Sequence, residues 1–440
     1  MFHVELDRVL LPAMFHVEPS LLSLMLQCSN RLSYATIRPL PARPADVISL
    51  DRYVRLLSQP GLRSAILASL LGRLPIGIAG LAILMLAQDM TGSFATGGAV
   101  AACYVAGLAA VAPLLGRLID RYGPRPILLC CALAVPSALA GLVVALSAPA
   151  PREFAFALAM LAGGCFPPIT VCMRTFFKQR LQEEALLSTA YSLESVCIEL
   201  IFLLGPMLVA LFVGLASPAA AVLFAAACGC AGTLLFQRSQ AVKTWRIEPR
   251  GAPSLFGPLA EPGFAPLLVV IVCYALAFGL IEIGTTAYAT EVGRPALAGV
   301  LLGIMSVGSV TGGLVYGSRS WHLPLTRQFP IMLGLMGLGV VPLALLSAPW
   351  AFSAGCVVAG IAMAPALIMQ AMLVAGSSRP EHSTEAFTWS STGLLAGVGL
   401  GLTIGGALLE FARSPAVFTA AAALSIAAGL LAVLLVKTRT

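Results

Sequence analysis

The chain has 440 residues, of which 59% are hydrophobic and only 10% charged, with a formal net charge of +7. Soluble domains carry about 25% charged residues, so a chain with a mean hydropathy of +0.95 has too little polar surface to face water and must be solvated by lipid. Its basic residues are scattered between apolar runs rather than gathered on one stripe, which excludes a nucleic-acid partner and reads as membrane topology.

Residues 1–46 read as a leader outside the fold, disordered or mis-assigned. They are rich in Arg and Pro, and their apolar runs are too short to span a bilayer. The pentapeptide MFHVE occurs at 1–5 and again at 14–18, a repeat with no structural rationale, and a true start downstream is the expectation. Residues 47–62 hold an amphipathic helix ended by Pro60 and Gly61. Val47, Ile48, Tyr53, Val54 and Leu57 share much of one face with Arg52 and Arg55 at its edges, the pattern of a helix lying on the inner membrane surface.

Twelve apolar stretches then follow, near 64–88, 94–115, 126–148, 153–174, 186–213, 217–236, 265–290, 296–316, 329–347, 350–375, 385–410 and 415–436. Each approaches the roughly 20 residues a spanning helix needs. With the N-terminus inside, Arg152, Arg294 and Arg413 fall in outer loops and Arg73 within a span, while every other Lys and Arg, Arg174, Lys178 and Arg180 among them, falls on the inner side. That asymmetry predicts an even number of spans with both termini cytoplasmic. Residues 237–263 form the longest polar interruption and divide an N-terminal bundle at 63–236 from a C-terminal bundle at 264–436, which leaves 437–440 as a cytoplasmic tail.

The two bundles share punctuation. Gly116 and Gly313 end the second and eighth spans, Pro168 and Pro365 interrupt the fourth and tenth, and Gly205 and Gly401 lie in the fifth and eleventh, at nearly constant offset. A duplicated six-helix unit is expected. In the second copy Gly317 stands at the position of Asp120, so any device built on that carboxylate exists once.

Residues 116–125 read Gly-Arg-Leu-Ile-Asp-Arg-Tyr-Gly-Pro-Arg, a cationic loop between two spans. Asp120 sits among Arg117, Arg121 and Arg125, suited to charge-assisted hydrogen bonds at a helix end. Gly116, Leu118, Asp120, Arg121, Gly123 and Arg125 match the loop between the second and third helices of the major facilitator superfamily of secondary transporters, which this chain resembles; Pro126 departs from the family's second basic residue. The resemblance covers most of the chain beyond the leader. It implies an all-α membrane protein of twelve transmembrane helices in two pseudo-symmetric six-helix bundles, with the 116–125 loop as a cytoplasmic gate. Gly205-Pro206 resembles an element of the superfamily's drug:proton antiporters, and 191–206 is similar to a branch of bacterial drug and metabolite exporters. The further glycines that follow the Pro in the antiporters are missing from 207–211.

Charges at bilayer depth are costly and mark function or a partner. Arg73, Glu194, Glu199 and Glu282 are the candidates, and the resemblance sets them beside the central cavity. They read either as a proton-coupling cluster or as a static ion pair of Arg73 with Glu194 or Glu199. Glu194 and Glu199 are about 140° apart around a helix, so they cannot face the same way. Tyr104, Tyr191, Tyr274, Tyr288, Gln370 and Trp389 are possible cavity contacts, and Pro168, Gly205, Pro206 and Pro365 mark kinks. With Arg73 the one cation assigned to a span, a highly anionic substrate is disfavoured.

No phosphate-binding loop, catalytic constellation or metal-ligand cluster stands out, and the 11 cysteines read as small apolar packing residues. The expectation is therefore not an enzyme. It is a monomeric transporter without a cofactor or metal, in the bacterial cytoplasmic membrane. Its partners would be lipid, H⁺ and a small organic molecule, with proton-coupled efflux by alternating access drawing on the proton gradient. The rival readings are an importer or uncoupled facilitator, and a non-transporting membrane sensor.

Overall fold

The computed structural model describes residues 51–148, 151–247, 257–294 and 297–436. The leader at 1–46, the start of the 47–62 helix with Val47 and Ile48, linker residues 248–256 and the tail at 437–440 lie outside the described residues. The described chain is almost wholly helical. It contains 12 helices long and apolar enough to cross a membrane: span 1 Leu62–Thr91, span 2 Thr96–Tyr122, span 3 Pro124–Ser147, span 4 Glu153–Arg180, span 5 Glu184–Leu215, span 6 Pro218–Gln237, span 7 Phe264–Glu291, span 8 Leu297–Ser318, span 9 Leu325–Leu345, span 10 Pro349–Ser377, span 11 Pro380–Leu409 and span 12 Ser414–Leu435.

The breaks fall at proline, which lacks an N–H and clashes with the preceding turn. Span 1 is jointed at Leu74 ahead of Pro75, and span 4 is interrupted between Gly164 and Ile169 by Pro167 and Pro168. Span 10 is jointed at Ala362, and Pro365 sits in the first turn of its second segment, where the missing N–H costs nothing. Pro206 lies inside an unbroken helix.

Two differences from the sequence reading matter. Span 4 continues to Arg180, so Arg174 and Lys178 belong to the helix rather than to a loop, and Arg174 is 9% exposed. The cause is local: Pro168 restarts the helix late, and Met173, Phe176 and Phe177 bury its last two turns. The short helix α1 (Asp51–Leu57) turns Tyr53 and Leu56 into the protein, while Val54 stays exposed. Protein rather than lipid receives its buried face.

The packing repeats between halves. Small residues let helix backbones approach closely. A Cβ on Gly205 of span 5 would stand 2.7 Å from the Gly77 Cα of span 1, and one on Gly401 of span 11 would stand 3.0 Å from the Gly279 Cα of span 7. Span 2 likewise meets span 4 at Gly107 and Gly164, and span 8 meets span 10 at Gly312 and Ile361. Each contact in the first half recurs six spans later, as a duplicated unit requires.

The halves are joined at one end. Hydrogen bonds from span 2 to span 11, span 4 to spans 10 and 11, and span 5 to span 8 cluster at the end carrying Asp120. Thr392 of span 11 still reaches the Ala109 carbonyl of span 2 at mid-depth, at 3.0 Å, but at the opposite end the polar contacts among the described residues stay within a half, as where Glu291 caps span 12 at Ser414. The bundle is therefore sealed at the Asp120 end.

Candidate functional site

The seal is built on a helix N-terminus. The first amides of an α-helix have no intrahelical acceptor and carry a partial positive charge. Asp120, 9% exposed, fills that vacancy for span 11 from the other half: the Thr384 N–H donates to Oδ1 at 3.0 Å and the Glu385 N–H to Oδ2 at 2.8 Å. Arg117, one helical turn before Asp120, donates to Glu385 Oε1 from Nη2 at 2.6 Å and from Nε at 3.1 Å. Gly116 packs directly on Thr388. Arg121 and Arg125 are exposed, and the Arg121 guanidinium lies over the Tyr122 ring. Gly123, at φ 80, turns the chain from span 2 into span 3.

The companion seam joins spans 5 and 8 at the same end through hydroxyl groups. Ser192 Oγ donates to the Gly313 carbonyl at 2.6 Å, and Thr189 Oγ1 to the Gly317 carbonyl at 2.8 Å. A side chain at Gly317 would collide with Ser192, which explains why this position has no counterpart of Asp120. Tyr53 enters the same seam from α1: its hydroxyl is 2.8 Å from Ser192 Oγ and donates to the Leu314 carbonyl at 3.3 Å. Burial raises the phenol above its ordinary range, more than the Ser192 bond lowers it, so Tyr53 remains a protonated donor.

Behind the seal lies a buried ion cluster. Glu194 of span 5, 3% exposed, receives Arg73 Nη1 of span 1 at 3.4 Å on Oε1 and Arg174 Nε of span 4 at 2.7 Å on Oε2. Ser69 Oγ and its carbonyl hold the rest of the Arg73 fork. Glu194 lies about 15 Å along its helix from Glu184, near half of a hydrocarbon core about 30 Å thick. Arg73 and Glu194 thus meet, as one sequence alternative had it. Arg174 is the member that sequence reasoning missed. The signal was the apolar side chains on both sides of it, Val171, Cys172 and Met173 before and Phe176 and Phe177 after, which a loop would not need.

The other two carboxylates stand apart. Glu199 accepts from Ser309 Oγ of span 8 at 2.8 Å. Glu282 is exposed on span 7, one turn from exposed Thr286 and two from exposed Thr290. A stripe of exposed polar residues on a spanning helix is costly against lipid, which marks this face of span 7 as a candidate lining of the transport path.

On the second half, Tyr274 donates to Gln370 Oε1, and Gln370 Nε2 donates to Ser390 Oγ at 2.6 Å. Ser390 lies one turn beyond Phe387, whose ring meets Tyr191 edge-on at 6.3 Å. Tyr191 in turn donates to the Arg174 carbonyl at 3.3 Å. A continuous path of contacts thus links the two polar clusters across the midline. Trp389 is half-buried, and its Nε1 has no acceptor among the described residues. Tyr104 is core, packed on Gly163, and Tyr288 stacks on Phe352 while donating to the Ser347 carbonyl at 2.8 Å; neither belongs to this path.

The family model described as Major Facilitator Superfamily matches residues 65–353 and 267–440. None of the curated proteins matches the chain significantly. Among solved structures, the human organic anion transporter MFSD10 (TETRAN) is similar with a TM-score of 0.67 at 20% identity, over 85% of this chain and 100% of that one. A bacterial homologue of the iron transporter ferroportin in an outward-facing state is similar with a TM-score of 0.67 at 15% identity, over 85% and 97%. Its structure with soaked iron scores 0.66 at 16% identity, over the same shares.

Proposed function

The chain belongs to the major facilitator superfamily, whose members are secondary transporters, and we propose that it exports a small organic molecule across the bacterial cytoplasmic membrane in exchange for protons. The Asp120 end is the cytoplasmic end. Arg117, Arg121, Arg125, Arg180, Arg238 and Lys243 gather there, as the distribution of basic residues requires. The conformation is then outward-open, with its inner gate closed by Asp120 on span 11 and by Ser192 on span 8. The similar bacterial ferroportin homologue is outward-facing in both of its structures.

Alternating access follows from the chemistry of the seam. Its bonds are few, polar and local, so they can be broken at the inner end while the glycine contacts within each half stay intact. The observation that carries the coupled reading is Glu282: a carboxylate at membrane depth, in no ion pair among the described residues, on an exposed polar stripe of span 7 with Thr286 and Thr290. Such a group can take a proton from the outside and release it inside once the cleft reverses. Glu199, bonded to Ser309 across the 5–8 seam, would sense the same cycle because that seam must open.

The test is proton flux in liposomes carrying a pH-sensitive dye, under imposed gradients of candidate substrates. Substrate-dependent proton movement that Glu282→Gln or Glu199→Gln abolishes supports exchange. Substrate flux with no proton movement, unchanged in both variants, makes the protein a facilitator.

A further inference from the structure

The ion cluster behind the gate does not balance. Two guanidiniums, Arg73 and Arg174, face one carboxylate, Glu194, and that cluster is nearly sealed from water. Arg73 uses its fork on Glu194 and Ser69. Arg174 is different. Its Nε donates to Glu194, while its two terminal nitrogens meet no acceptor among the described residues and are not closed off from solvent. Below it the halves are closed by Thr175 against Thr384, by Lys178 on Ser378 and by Asp120 on span 11. The residual exposure of the guanidinium end therefore lies on the side away from these contacts.

A buried charge without a counter-charge is costly, and the cost is removed when an anion supplies the missing partner. A guanidinium presents two parallel N–H groups in a plane, a geometry that a carboxylate matches with both oxygens. Across the midline the Tyr274–Gln370–Ser390 chain is buried and bonded within itself, so Arg174 is the group left to meet a ligand. We infer that the substrate is an organic anion whose carboxylate docks on the terminal nitrogens of Arg174 at the floor of the cleft. This names the substrate class of the transport site proposed above and rests on that reading. Glu194 is then a positioning residue: it holds both arginines, fixes the Arg174 fork and leaves one positive charge for the ligand. The sequence expectation disfavoured a highly anionic substrate with only Arg73 assigned to a span; Arg174 adds a second buried cation, and one carboxylate is what the pair leaves room for.

The experiment is ligand-induced stabilisation of the full chain in detergent micelles, with benzoate, phthalate, benzamide and inorganic phosphate at matched ionic strength. Benzoate or phthalate should raise the melting temperature saturably and benzamide should not. In Arg174→Gln the apparent Kd for the carboxylate should weaken about tenfold or more, the loss of one charge-assisted contact. Arg174→Lys keeps the charge without the fork and should fall between the two, which also decides the matter where Arg174→Gln does not fold. No stabilisation by either carboxylate, equal stabilisation by benzamide, stronger stabilisation by phosphate, or unchanged affinity in the folded Arg174 variants overturns the inference. Flux of the same probes in liposomes separates the two readings. A carboxylate that binds through Arg174 and crosses without moving protons leaves the anion site standing and removes proton coupling. Proton-coupled flux of benzamide without carboxylate binding does the reverse.

Discussion

Asp120 receives the Glu385 backbone N–H at 2.8 Å, so a carboxylate of the first half caps a helix of the second. The cap belongs to the closed gate alone, since it breaks when the halves part. Asp120→Ala should weaken the gate by about 1–2 kcal/mol, the worth of an N-cap with its charge on the helix dipole. Hydrogen exchange at the first turn of span 11 reads this directly. The Thr384 and Glu385 amides should lose about tenfold of protection in Asp120→Ala, and less in Asp120→Asn, which keeps one acceptor oxygen. Unchanged protection would rule out the cap as a gate element.

Arg117 and Glu385 form an unequal pair. The Arg117 side chain is 40% exposed and the Glu385 side chain 2%. Removing Glu385 leaves a guanidinium that water can solvate, while removing Arg117 strands a buried carboxylate. Arg117→Gln should therefore cost about 3 kcal/mol, and Glu385→Gln about 1 kcal/mol or less. Thermal unfolding of the two variants in the same detergent gives the comparison. The reverse order would mean that other groups compensate Glu385.

The close approach of spans 1 and 5 predicts a sharp contrast between two glycines. Gly205→Ala drives a methyl onto the Gly77 backbone, which cannot move aside as a side chain would. It should destabilise by about 1–3 kcal/mol. Gly80→Ala, in span 1 with nothing within 4 Å of the new methyl, should be neutral or stabilise by up to about 1 kcal/mol. Equal melting temperatures for the two variants would contradict the packing.

Much of this architecture was legible in the residues because lipid imposes simple rules. Apolar length set the spans, and the glycines paired by offset, Gly205 and Gly401, meet equivalent partners in Gly77 and Gly279. Asp120 was legible as a gate residue through its motif, but its partner was not, because a backbone N–H carries no sequence signal. Arg174 was missed for a related reason. A basic residue near a predicted span end looks like a loop anchor, and only the packing of Phe176 and Phe177 beyond it shows that the helix goes on. Arg117 and Glu385 lie far apart in sequence, and their pairing depends on how the two halves dock.

Tyr53 ties the short helix α1 to the gate through one hydroxyl. Tyr53→Phe keeps the ring and removes both bonds, so it should loosen the seam between spans 5 and 8 by about 1 kcal/mol. The expected readout is faster hydrogen exchange in 313–318, with exchange in span 11 unchanged. Loss of protection across the whole bundle would instead make α1 a general stability element.

The anion site and the proton exchange together fix the electrical character of transport. A monoanion leaving as one proton enters carries two positive charges inward per cycle. An inside-negative potential of 100 mV then adds about 4.6 kcal/mol of driving force, at about 2.3 kcal/mol per charge. A potassium diffusion potential set with valinomycin should accelerate benzoate efflux from loaded liposomes, and collapsing it should slow efflux even at constant pH gradient. Arg174→Gln should lose this anion flux, while a neutral probe exchanged for one proton carries a single charge inward and should show about half the dependence on potential. Benzoate efflux equal at both potentials would mean that the anion moves with a compensating cation, and the exchange stoichiometry proposed here would fall.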